Sequence, residues 1–246
     1  MPIRIFFLLP VITLLFFGCE SADSAALPEL SGAVPTTADI PTSDHWEPDI
    51  VAFERADSMR IPAPGGVVFV GSSSIRLWET LETDMAPLPV IRRGFGGSRI
   101  YDAVRFAERI VLKYDPKMVV VFSGTNDLQG DPSDLSPEQV RDGFDQLTRR
   151  ILEHGDSTAV YYISITPSRA RFDQLDRIKR ANQLIEARTQ EHPRLHFFDL
   201  EDIFLTPDGK IREELFVEDG LHLNAKGYAL WTENIKPELL QRFRGD

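Results

Sequence analysis

Four short stretches of the chain collect residue types that can do acyl chemistry. They are Gly71-Ser72-Ser73-Ser74, Arg93-Gly94-Phe95-Gly96-Gly97-Ser98, Ser123-Gly124-Thr125-Asn126-Asp127 and Asp219-Gly220-Leu221-His222. A serine hydroxyl is a weak nucleophile at its own pKa and needs a base within about 3 Å. His222 can supply that base, and Asp219, one helical turn earlier, can hold the imidazole in the required tautomer. The negative oxygen of a tetrahedral intermediate needs donors already aimed at it. The backbone N–H groups of Ser73 and Gly97 and the side-chain amide of Asn126 are the candidates. Glycine at 97 would let a substrate approach the backbone closely. Asp127 reads as a capping or loop-bracing acid. Each stretch also has a plainer reading: three serines as a polar helix start, Gly94 and Gly96 as a turn, Asn126 as a helix cap, and Asp219–His222 as a surface pair.

The intervening residues must position these groups. Five apolar or β-branched runs stand out, at Val67–Val70, Val90–Arg92, Met118–Phe122, Ala159–Ile165 and Leu195–Leu200. Helical spacing separates them. Ile100, Val104, Ala107 and Val111 share one face, as do Val140, Phe144, Leu147 and Ile151. The second of these helices opens with Ser136-Pro137-Glu138-Gln139, a cap, a first-turn proline and a capping-box glutamine, and closes at Gly155. Leu175, Ile178, Asn182 and Ile185 continue the pattern with one polar slip. A last helix, capped by Asn224, carries Tyr228, Trp231, Ile235 and Leu239. Strands that read as unbroken apolar runs and alternate with helices predict a parallel sheet covered on both faces. The expected fold is α/β: a three-layer α/β/α sandwich with a five-stranded parallel sheet. Trp78 is expected in its core.

In such sheets ligands sit beyond the carboxyl ends of the strands, where the strand order reverses. The first three motifs each follow a strand directly. With order 2-1-3-4-5, the serine, glycine and asparagine turns become neighbours. Strand five then lies on the order of 14 Å from strand one. Residues 201–221 are ample to carry His222 back across that gap.

The four motifs together resemble those of the SGNH hydrolases, also called the GDSL esterase/lipase family. The resemblance spans residues 46–246. FVGSSSIRLW (69–78) puts Ser73 in the nucleophile's place, with Ser72 where Asp is usual. RRGFGGSRI (92–100) puts Gly97 on the oxyanion glycine, SGTND (123–127) supplies Asn126, and DGLH (219–222) supplies Asp219 and His222. The resemblance implies a flavodoxin-like sandwich, no cofactor, and hydrolysis of acyl esters of small molecules, glycans or lipids through an acyl-enzyme. A non-catalytic acyl-glycan binder or an acyltransferase is the alternative on the same scaffold. The Gly-x-Ser-x-Gly elbow of another hydrolase class is absent.

Composition narrows the partners. The chain has 246 residues and a net charge of −11, which argues against a nucleic-acid phosphate binder. Its one cysteine excludes an intramolecular disulfide and a cysteine-based zinc cluster. The other histidines (45, 154, 192 and 196) are scattered through the sequence and do not cluster with acids in a metal-ligand pattern, so no metal is expected. No obligate protein partner is evident. Residues 1–18 place Arg4 ahead of an uncharged apolar run that is short for a membrane span and suits a signal-peptide core. The run ends in Phe16-Phe17-Gly18-Cys19, which resembles a lipoprotein signal. It implies lipidation of Cys19 and export to the bacterial cell envelope, with membrane contact through that anchor alone. A soluble secreted form is the alternative. Residues 19–45 form the expected tether: from 20 to 45 there is no aromatic residue, Lys or Arg, too little apolar surface to offset ordering entropy.

Two further expectations concern substrate choice. Arg92, Arg93, Arg99, Arg169 and Arg171 follow strand ends and would form a positive rim favouring carboxylate- or phosphate-bearing substrates. The absence of a long apolar lid segment favours short acyl chains.

Overall fold

The computed structural model describes residues 44–245. The expectations for residues 1–43, namely the signal segment, lipidation at Cys19 and most of the tether, lie outside the described residues. Asp44 and His45, given to the tether by composition, belong to the folded part. Asp44–Trp46 form one 3-10 turn that runs into α1 (Glu47–Met59), with Pro48 in its first turn.

Helix α1 was not expected, and its composition explains why. Ile50 is its only buried residue, so it shows almost no apolar stripe. Ionic contacts hold it instead. Arg109 reaches Glu47 and Glu54, each at 2.7 Å, and Asp57 meets Lys113 at 2.6 Å and also Arg93.

Five strands follow the expected runs: β1 (Val67–Gly71), β2 (Val90–Gly94), β3 (Met118–Phe122), β4 (Ala159–Ile163) and β5 (Leu195–Phe198). All pair in parallel in the order β2-β1-β3-β4-β5. Side chains alternate between two cores, as strand geometry requires. Val68, Val70, Val119, Val121, Val160 and Tyr162 face one layer of helices. Val67, Phe69, Val120, Phe122, Tyr161 and Ile163 face the other, which holds Trp78 and Trp231.

The remaining helices are α2 (Ser73–Arg76), α3 (Leu81–Asp84), α4 (Ile100–Ile110), α5 (Pro137–His154), α6 (Leu175–Thr189) and α7 (Ala225–Arg244). The capping box of α5 forms as read: Gln139 N–H donates to Ser136 Oγ at 3.2 Å and Ser136 N–H to Gln139 Oε1 at 2.8 Å. The polar slip in α6 has a purpose. Buried Asn182 accepts from Ile165 N–H at 2.8 Å and donates to Ile165 C=O at 3.1 Å, satisfying the chain as it leaves β4.

Candidate active site

Residue pairing sets the geometry. Gly71 of β1 lies opposite Gly94 of β2 and Phe122 of β3, so the three strands release their chains at one level. Ser73 opens α2 immediately after β1. The Gly96–Gly97 turn follows β2, and Asn126 follows β3. Gly97 has φ 84°, and a Cβ there would meet the Trp46 ring at 3.1 Å. Both facts favour glycine.

His222 returns to this point on the long connection from β5 to α7. Phe216 and Leu223 bridge antiparallel, and Val217 N–H donates to His222 C=O at 2.9 Å, closing a loop around Asp219. Asn224 fixes the loop's far end. Its amide donates to the Glu214 and Phe216 carbonyls, each at 2.9 Å, while Oδ1 caps α7 through the N–H groups of Lys226 and Gly227.

The outcome is a continuous hydrogen-bonded line of side chains. Ser73 Oγ lies 2.9 Å from His222 Nε2, and His222 Nδ1 lies 2.6 Å from Asp219 Oδ2. The second carboxylate oxygen accepts from the N–H groups of Leu221 and His222 at 2.8 and 3.0 Å. Partial burial alone would raise the Asp219 pKa. The hydrogen bonds from the His222 N–H, its ring and Leu221 outweigh that and hold the carboxyl below its ordinary value.

Ser73, Gly97, Asn126 and His222 line one cleft of about 360 Å³, together with Asp49, Arg76, Gly96 and Leu221. The Asn126 amide donates to Ser98 C=O at 3.0 Å. The backbone N–H groups of Ser73 and Gly97 donate to no backbone carbonyl among the described residues. Asp127 is fully buried and accepts from Ile100 N–H at 3.1 Å, so it braces the loops as expected. Burial, opposed by that hydrogen bond, pushes its carboxyl up to about 7.

A second, enclosed cavity of about 10 Å³ lies behind Ser73, lined by Ser74, Thr125, Thr166, Ser168, Leu221 and Trp231 among others. Four of its polar atoms, Thr125 Oγ1, Thr166 Oγ1, Ser168 Oγ and Trp231 Nε1, have no hydrogen-bond partner among the described residues.

The expected arginine rim does not form. Arg93 is buried on Asp57 and Tyr114. Arg92 donates to Trp78 C=O, Arg99 to Ser133, Arg169 to Glu218 C=O and Arg171 to Ala170 C=O. None of the five lines the cleft. Backbone carbonyls engage four of them, and Asp57 engages Arg93. The cleft instead holds Asp49 and Arg76, both missed from sequence. Arg76 had a usable signal, three residues after Ser73 and so on the same side of one helical turn. Asp49 had none, because only tertiary packing brings α1 to the cleft.

Sheet order and layering define the scaffold, a flavodoxin-like α/β/α sandwich. The profile of the GDSL-like Lipase/Acylhydrolase family matches residues 70–230, and the chain belongs to that family. It is 30% identical over 171 residues to the platelet-activating factor acetylhydrolase IB subunit alpha1 of Pongo abelii, covering 66% of this chain and 70% of that one. Solved structures share the fold. A GDSL-like lipase from Bacteroides thetaiotaomicron superposes with a TM-score of 0.67 at 18% identity, covering 79% of this chain and 98% of that one. A carbohydrate esterase family 3 protein from Talaromyces cellulolyticus gives 0.58 at 18% identity, covering 74% and 99%.

Proposed function

We propose that this protein is a serine carboxylesterase that removes short acyl groups, acetyl above all, from small-molecule, glycan or lipid alcohols. The unbroken line from Ser73 Oγ through His222 to Asp219, at 2.9 and 2.6 Å, carries the reading. Ser73 Oγ attacks the ester carbonyl and passes its proton to His222 Nε2. The carbonyl oxygen, now negative, is held by the N–H groups of Ser73 and Gly97 and the Asn126 amide. As the intermediate collapses, the ester C–O bond breaks and the alcohol leaves with the proton from His222. Water then adds to the acyl-enzyme, giving a proton back to His222. The acid departs and Ser73 regains its hydrogen. Asp219 stabilises the imidazolium at each stage.

The two cavities divide the substrate between them. The leaving alcohol takes its proton from His222, which lines the cleft and not the enclosed cavity. The alcohol therefore occupies the cleft, and the acyl group points into the small cavity. Its size suits a methyl group. The acetylhydrolase relative supports the same acyl preference.

Labelling by a fluorophosphonate, retained in Lys226→Ala and lost in both Ser73→Ala and His222→Ala, is the expected result. Labelling that survives Ser73→Ala ends the proposal. The amino-terminal pattern supports an exported, lipid-anchored location. Incorporation of a labelled fatty acid, abolished by Cys19→Ala, tests the anchor, and incorporation that persists in that variant refutes it.

A further inference from the structure

Arg76 stands in the cleft beside Ser73, and its place there is prepared. A Cβ on Gly96 would fall 2.7 Å from the Arg76 Nε and 3.1 Å from Nη2, so a side chain at 96 would displace the guanidinium. The guanidinium makes no hydrogen bond or ion pair among the described residues. Arg93, Arg105, Arg109, Arg177 and Arg188, by contrast, all meet carboxylates. Arg76 is exposed and lines the reacting cleft, the only Lys or Arg among the described residues to do so. In a chain of net charge −11 the overall field repels anions. A free guanidinium one turn from the serine supplies a local positive group against that field.

We infer that Arg76 binds a singly charged oxyanion, a carboxylate or a phosphodiester, on the alcohol part of the substrate. The inference rests on the reading above that places the alcohol in the cleft. A guanidinium offers two parallel N–H donors, matching two equivalent oxygens of such a group. Asp49 lines the same cleft and makes no ion pair among the described residues. Its carboxylate opposes a second negative charge, so a monoanion is favoured over a polyanion.

The test compares kcat/KM for phenyl acetate, 3-carboxyphenyl acetate and 3-(trimethylammonio)phenyl acetate in wild type, Arg76→Gln and Arg76→Lys. The ratio of the carboxylate to the neutral ester is expected to fall tenfold or more, roughly, in Arg76→Gln. Arg76→Lys should keep part of it, and added salt should shrink the wild-type ratio. Asp49→Asn should raise it. A ratio unchanged in Arg76→Gln overturns the inference. Calorimetric binding of 3-hydroxybenzoate and phenol supplies a readout independent of turnover. Tighter binding of the carboxylate, lost in Arg76→Gln, supports the anion subsite even if no ester is cleaved, an outcome that would count against Ser73 as nucleophile instead. Equal binding of the two compounds by wild type refutes the subsite.

Discussion

Asp127 and Ile100 tie two of the turns around the cleft together. The buried Asp127 carboxylate, one residue after Asn126, accepts the first N–H of α4 at 3.1 Å, three residues after Gly97. A second link runs parallel to it, from the Asn126 amide to Ser98 C=O at 3.0 Å. The glycine turn and the asparagine turn therefore keep a fixed separation. That is what preorganised donors require, because reorganisation during reaction would cost the rate they supply.

The ionisation of Asp127 should be visible in stability. Its pKa is 3.8 in an ordinary setting and about 7 in the fold. Between those values the native state binds more protons than the unfolded chain, so stability falls as pH rises from about 4 to 7. Asp127→Asn keeps an acceptor for Ile100 and removes the titration. Urea unfolding across that range should show a flatter pH slope in the variant, and an unchanged slope would contradict the assignment. Asp127→Ala leaves the Ile100 N–H buried without a partner, at a cost of about 1–3 kcal/mol.

Asp219 acts on rate through the imidazole. Asp219→Asn retains an oxygen for the Leu221 and His222 N–H groups and loses the charge facing Nδ1. A drop in kcat on the order of 10³–10⁴ is expected, with the fold retained by circular dichroism. The same carboxyl has a depressed pKa, so its stabilising contribution is present above its ordinary value and lost as pH falls through the native one. A variant with near wild-type kcat would remove Asp219 from the mechanism.

Leu221 lines both the cleft and the enclosed cavity, so its size should set acyl length. Leu221→Ala opens the wall between them. Wild type should cleave nitrophenyl acetate far better than the hexanoate, and the hexanoate-to-acetate ratio of kcat/KM should rise about tenfold in the variant, the scale of a few methylenes in an apolar site. Faster cleavage of hexanoate than acetate by wild type would show that the acyl group lies elsewhere.

Much of the scaffold was legible because strand and helix signals are local. Val67–Val70 and Met118–Phe122 are continuous apolar runs and became the sheet centre. Ser136 with Gln139 announced a helix start that the chain then builds. Helix α1 escaped because ion pairs to Arg109, Arg93 and Lys113 hold it, and its own sequence carries little apolar periodicity. The arginine rim failed for a related reason. Charge alone does not reveal a partner, and Arg93 meets Asp57, 36 residues away, only after folding.

By itself the sequence determined the alternation of strands and helices, the family, and the four motifs that each leave a strand end or precede α7. Those follow from periodicity and short spacing, which the chain displays before it folds. Only the tertiary structure decided that Ser73 Oγ, the His222 ring and the Asp219 carboxylate fall into one hydrogen-bonded line. It also decided which charges stay free in the cleft. The first depends on Ser73 and His222, 149 residues apart, meeting at 2.9 Å, and the second on long side chains choosing among distant partners; neither leaves a local pattern to read.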